Sequence, residues 1–297
     1  MNKARALALA KVMAAIAWAD EQLQAHEMNH IKGLVHEHFS REQFTGKDWC
    51  QIDCYFLAPV GSQERQRLTA ELIRHLPTQR SINQAWEHLQ QMADEAGEAH
   101  NQALHEVHEA IAQGRSWWWP SWFPRASVPG PNREHLMDDY FNHELAFACV
   151  CTLWAKDLPV PEDVTPLRRG GAVCGVLLRV ASSDQQFREA ESTAVHTILA
   201  EAYQLESTHA QIIIEAAQRR GARIDLQKCT RHLRQACNRS QRQTLLSQCF
   251  AVANADDHTS AEEIAAIRSL TLDLGLDHED FIAAKLTIPK QQRAAHH

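Results

Sequence analysis

An apolar segment of this chain ends in VANAD at residues 252–256, and Glu263 follows its aspartate by seven residues. The same pattern, an apolar residue and an alanine before Asp with Glu seven residues later, occurs twice more: VASSD at 180–184 with Glu191, and IAWAD at 16–20 with Glu27. In each copy apolar residues recur four and seven residues beyond the Glu, which is the spacing of an amphipathic helix. Each copy therefore predicts a helix, a short acidic loop and a second helix.

The spacing of the copies predicts a larger repeat. The second and third aspartates, Asp184 and Asp256, are 72 residues apart. At a similar distance after Asp20 the chain has Met-Ala-Asp at 92–94, but Asn101 stands at the Glu position, so this copy is degenerate. We expect two units, each built from two half-repeats.

Composition agrees with a helical protein. The 297 residues include only 11 Gly and 10 Pro, too few for the many turns of a short-stranded β fold. Seven of the prolines lie between 120 and 166, and proline ends helices. We therefore predict an all-α chain with an N-terminal unit at 1–113, a Trp/Pro-rich connector with one bridging helix at 114–166, and a C-terminal unit at 167–290.

Charge and cysteine content bear on partners and location. The net charge of −7 excludes a general attraction to nucleic acid, although the stretch 215–242 is locally basic. We expect this stretch to be a solvated helix face, and contact with an anionic partner such as nucleic acid is the alternative. The eight cysteines form no CxxC pair, which predicts reduced thiols and a cytoplasmic location, with association at a membrane surface left open.

The repeat resembles the tellurite-resistance B (TerB-like) family, and the C-terminal unit resembles it best. This resemblance implies an all-helical, non-catalytic scaffold or sensor that binds a divalent metal ion (Ca²⁺, Mg²⁺ or Zn²⁺) and a protein partner in a bacterial stress-resistance or defence system. The metal-binding residues that it implies are Asp20, Glu27, Asp184, Glu191, Asp256 and Glu263. The family's Gly after each Asp is replaced here by Glu21, Gln185 and Asp257.

Physical chemistry gives the acidic loops two interpretations. An Asp at a helix C-terminus is unfavourable by about 0.3–1 kcal/mol unless a partner offsets it, and a hard cation is one such partner. Helix capping is the other, since Ser260 and Glu263 have the spacing of a capping box. Both interpretations remain open, and the third copy, with Asp256 and Glu263, is the best metal candidate.

A histidine motif offers an alternative function. Residues 26–36 fit HExxHxxGxxH, which resembles the signature of metzincin zinc peptidases. The helical repeat, however, continues through Gly33, and on an unbroken helix His36 cannot join His26 and His30 at one ion. The milder hypothesis is that His26 and His30, one turn apart, bind Zn²⁺ or Ni²⁺ beside Glu27. Two surface histidines are the alternative.

The connector is rich in aromatic residues. It can pack in a groove between the units, dock on a membrane interface or bind a partner protein. The residues concerned are Trp117, Trp118, Trp119, Trp122 and Phe123.

Overall fold

The computed structural model describes residues 1–40, 42–93, 98–113, 130–184, 188–256 and 259–288. Across these ranges the chain forms fifteen α-helices and no strand, so the all-α prediction is confirmed. The chain divides into two units. The N-terminal unit comprises Met1–Met137 with Val150–Val160, and the C-terminal unit comprises Asp138–Cys149 with Pro161–His297.

The N-terminal unit is arranged around its first helix. Every residue from Val12 to Ala17 is buried, and alanines make up much of this helix, so neighbouring helices can approach its backbone. The first helix packs against each of the other five, which surround it. The six helices are α1 Lys3–Ala17, α2 Ala25–His38, α3 Gly46–Asp53, α4 Ser62–Arg74, α5 Gln79–Ala93 and α6 Glu98–Gln113.

A buried ion pair joins two distant segments of this unit. Arg133 is fully buried, and its Nη2 donates to Glu64 Oε2 of α4 at 2.7 Å. The same guanidinium donates to the carbonyl oxygens of Cys54, Ala58 and Pro59. One arginine thus holds the loop after α3, the start of α4 and the segment near residue 133 together, an arrangement that the sequence did not indicate.

The stretch expected to form one bridging helix contains two, α7 Met137–Asn142 and α8 Glu144–Ala155. They are separated at His143, whose backbone N–H donates to the carbonyl of Asp139 while its own carbonyl accepts from Phe147 N. A short 3-10 turn, Arg133–Leu136, precedes α7.

The C-terminal unit is likewise arranged around its first long helix, α9 Thr165–Ala181. That helix packs against each of the five that follow it, and it is buried from Gly170 to Leu178. Gly175 permits close contact with a neighbouring helix, since a Cβ at this position would lie 2.9 Å from Cys229 Sγ. The helices are α9 Thr165–Ala181, α10 Glu189–Ala202, α11 Ser207–Arg220, α12 Leu226–Ala236, α13 Arg239–Ala253, α14 Ala261–Asp273 and α15 His278–Lys285.

All three copies of the sequence repeat have the predicted local structure. They correspond to the pairs α1–α2, α9–α10 and α13–α14, each with a short loop between the helices. The first apolar position after each Glu is fully buried: Ile31, Val195 and Ile267.

Two further features concern cysteines and membranes. All eight cysteines are free thiols, and seven are buried. Among the described residues, the helices are too short or too polar to span a bilayer.

Candidate functional site

The three repeated glutamates share one structural role. Glu27, Glu191 and Glu263 are each buried in the first turn of their helix. In each, carboxylate Oε2 accepts a hydrogen bond from the backbone N–H three residues earlier: Gln24 at 2.8 Å, Arg188 at 2.7 Å and Ser260 at 2.7 Å. The expected capping box of Ser260 and Glu263 is therefore confirmed. Capping accounts for one oxygen of each carboxylate and leaves the other for a second partner.

The second oxygen distinguishes the copies. In the N-terminal unit, Glu27 Oε1 lies 3.1 Å from Nε2 of buried His100 on α6. In the C-terminal unit, Glu263 Oε1 is buried and has no hydrogen-bond partner among the residues that the structure describes. A buried carboxylate oxygen without a donor is unfavourable, so this atom marks a place where a ligand would stabilise the protein.

The two acidic loops of the C-terminal unit meet at one arginine. Arg188 Nη2 lies 3.2 Å from Asp184 Oδ2 in the loop between α9 and α10. Its Nη1 lies 3.2 Å from Asp256 Oδ2 in the loop between α13 and α14. The fold therefore brings the second and third copies of the motif together, and a guanidinium that sequence reasoning missed joins them.

Electrostatics agree with this crowding of carboxylates. Burial, together with the nearby charges of Glu263 and Asp184, raises the pKa of Glu191 to about 7, although the Arg188 backbone N–H and guanidinium oppose this. Burial and the charges of Asp184 and Asp256 likewise raise the pKa of Glu263. Both carboxylates would be stabilised by added positive charge or by protonation.

The donor chemistry fits a hard cation, since carboxylate oxygens are the preferred ligands of Ca²⁺ and Mg²⁺. The positions of the described side chains, however, do not form such a site. In the described part of the chain, no three or more His, Cys, Asp or Glu side chains are placed so that they could hold one ion. In this arrangement Arg188, not an ion, bridges the two aspartates.

The first copy of the motif differs from the other two. Asp20 is exposed, and its Oδ1 accepts from Gln22 N at 2.9 Å. Glu21 has a φ of 64°, in the left-handed region that favours the glycine of the family motif. Gln185 and Asp257, which occupy the corresponding positions of the other two copies, lie outside the described residues.

The histidine motif lies on one continuous helix. Helix α2 runs through Gly33, as the repeat predicted, and the His36 ring packs 5.0 Å from that of Trp49. His26 is exposed and His30 half-buried. The geometry therefore does not assemble the three-histidine site of a zinc peptidase, and Glu27 is engaged in capping and with His100.

Two other surfaces were candidates for partner contact, the basic stretch 215–242 and the aromatic connector. Part of the basic stretch makes internal contacts: Arg220 binds Glu144 at 2.8 Å, and Arg239 binds Asp277 at 2.6 Å and Asp280 at 2.7 Å. The aromatic connector residues Trp117, Trp118, Trp119, Trp122 and Phe123 lie outside the described residues.

Comparison with known families assigns part of the chain. The family model of the tellurite resistance protein TerB matches residues 171–286. A TerB domain is therefore present at these residues, and it contains Asp184, Glu191, Asp256 and Glu263. Searches of curated proteins and of solved structures found no match.

Proposed function

We propose that the C-terminal unit is a non-catalytic, divalent-cation-binding module of the tellurite-resistance type. Its ligands are Asp184, Glu191, Asp256 and Glu263, and its ion is a hard cation such as Ca²⁺ or Mg²⁺. The observation that carries the proposal is the Glu263 Oε1 atom, which is buried among these carboxylates and has no hydrogen-bond partner in the described part of the chain.

A bound cation would offset the electrostatic cost of bringing these carboxylates together. Buried carboxylates are strongly unfavourable in the charged form unless they are paired. The Arg188 guanidinium brings one positive charge to Asp184 and Asp256, whereas a divalent ion would bring two. Binding requires the side chains of the two loops to move until their carboxylate oxygens surround an ion at the ~2.3–2.6 Å typical of Ca²⁺.

Such binding suits a sensor or scaffold. An ion bound by both loops would link the α9–α10 pair to the α13–α14 pair. At 100 times its Kd a ligand stabilises the folded state by about 2.7 kcal/mol. The change in rigidity of the two loops would be the signal that a protein partner detects.

The test is cation-dependent stability. The full chain is stripped with a chelator, analysed for bound metal, and melted with Ca²⁺, Mg²⁺ or Zn²⁺. We expect one or more of these ions to raise Tm, and we expect the double variant Asp256→Asn, Glu263→Gln to lose the increase. Glu189→Gln is the matched control, because Glu189 is exposed two residues before Glu191. A wild-type Tm that no divalent ion changes would rule the proposal out.

We further infer that the N-terminal unit is a second TerB-like unit without a cation requirement. Its first helix contacts the next five, as α9 does in the C-terminal unit. Glu27 and His100 are 73 residues apart, against 72 for Glu191 and Glu263. Where the C-terminal unit has a second glutamate, this unit has an imidazole that can donate to the first.

A further inference from the structure

The position of Arg188 bears on how an ion would enter the site. Its backbone N–H donates to the Glu191 carboxylate, and its guanidinium reaches an aspartate in each of the two loops. The side chain is 33% exposed, so it has a route to solvent. The Arg188 backbone therefore forms part of the site, and the Arg188 side chain takes the place between the two aspartates that an ion would need.

A guanidinium and a divalent ion exclude each other here. Both are drawn to the oxygens of Asp184 and Asp256, and an ion within ligand distance of those oxygens would lie within a few ångströms of the Arg188 charge. Two like charges a few ångströms apart repel each other, and they do so more strongly at a protein surface than in bulk water. An ion can bind both aspartates only if the guanidinium leaves them.

We propose that Arg188 is a tethered competitor of the cation, which closes the site when divalent ions are scarce and swings into solvent when one binds. This inference rests on the proposed cation binding and adds to it the residue that sets the affinity. The bridged arrangement is then the ion-free state, and the concentration at which the module responds depends on how firmly Arg188 holds the two aspartates.

The experiment is calorimetric titration of the full chain with CaCl₂ and with MgCl₂. We expect Arg188→Gln to bind about tenfold more tightly than wild type, because the competing charge is gone. Arg188→Lys, which keeps the charge but loses the two-armed bridge, should fall between them. It also provides a folded comparison if Arg188→Gln does not fold.

Arg239→Gln is the matched control. Arg239 also bridges two aspartates of this unit, Asp277 and Asp280, but it stands at the opposite end of α13 from Asp256. We expect this variant to leave cation affinity unchanged.

The outcomes separate the two proposals. Binding by wild type with equal or weaker binding by Arg188→Gln overturns the competitor role and leaves the proposed function standing. Binding by Arg188→Gln alone supports the competitor role and contradicts cation binding by the native chain under those conditions. Absence of binding in wild type and in both Arg188 variants overturns both.

Discussion

A glutamate at the third position of a helix has two oxygens, and in this protein they serve separate ends. One oxygen of Glu27, Glu191 and Glu263 caps the helix that carries it. Helix capping thus explains why the residue recurs in the sequence, but it does not determine what the second oxygen contacts. For Glu27 the second contact is His100, 73 positions away, whereas the described residues offer no such contact to Glu263 Oε1.

The raised pKa of Glu191 makes a prediction about pH. Its pKa is about 7 in the folded protein, against an ordinary value of 4.5, so the folded state holds a proton that the unfolded state has released. Stability from this group is present below pH 4.5 and is lost as pH rises through 7. We expect Glu191→Gln to flatten the decline in Tm between pH 5 and 8, measured by circular dichroism without divalent ions.

The control for this prediction is Glu189→Gln, which removes an equal charge from an exposed position of the same helix turn. The Tm of Glu189→Gln should fall with rising pH as the Tm of the wild type does. A Glu191→Gln protein with the wild-type pH profile would show that the carboxyl ionises normally in the fold.

Glu21 gives a second prediction at the same scale. Its φ of 64° places a residue with a Cβ in the left-handed region. Relief of about 1–2 kcal/mol of backbone strain outweighs the ~0.5–1 kcal/mol entropic cost of glycine. Glu21→Gly should therefore raise the free energy of unfolding by about 0.5–1 kcal/mol, whereas Glu37→Gly, at an exposed position inside α2, should lower it. Urea denaturation followed by tryptophan fluorescence measures both, and destabilisation by Glu21→Gly would contradict the prediction.

At the scale of elements, local sequence patterns predicted the helices but not the long-range contacts between side chains. The apolar spacing after each Glu correctly gave α2, α10 and α14, because amphipathic periodicity is a property of consecutive residues. The Arg188 bridge was not predictable in this way. It depends on two loops 72 residues apart converging in space, and arginine at 188 is unremarkable in a helix-start sequence.

The Arg133–Glu64 pair was missed for the same reason, and it supports a prediction about the N-terminal unit. Arg133→Ala would take the paired guanidinium away from buried Glu64, which keeps only the residue-133 backbone N–H and Arg67 at 3.7 Å, and this costs up to about 3–5 kcal/mol. Lys32→Ala, which removes a solvent-exposed pair with Asp53 in the same unit, should cost under about 1 kcal/mol. The eight tryptophans lie between 18 and 154, in the ranges of the N-terminal unit, so tryptophan fluorescence in urea reports this unit. A fluorescence midpoint that Arg133→Ala leaves unchanged would refute the assigned role.

For the whole molecule, the sequence predicted the helical class and the equivalence of Glu191 and Glu263 within the repeat. Glu263 was identified as the counterpart of Glu191, since both are copies of one motif. His100 was not, because the repeat points to its exposed neighbour Asn101. A one-residue displacement at the start of α6 changes which side chain is buried against Glu27. Such a displacement is visible only in three dimensions.

This difference between the buried partners predicts that the two units respond differently to divalent ions. The second oxygen of Glu27 already has a donor in His100, whereas Glu263 Oε1 has none within the described ranges. Hydrogen exchange measured by mass spectrometry with and without Ca²⁺ should therefore show slower exchange around 182–192 and 254–264, and no change around 18–28. His100→Gln should destabilise the N-terminal unit without altering the response of the C-terminal loops, because these contacts lie within separate units. Protection that appeared first at 18–28 would instead place the cation in the N-terminal unit and contradict the role given to His100.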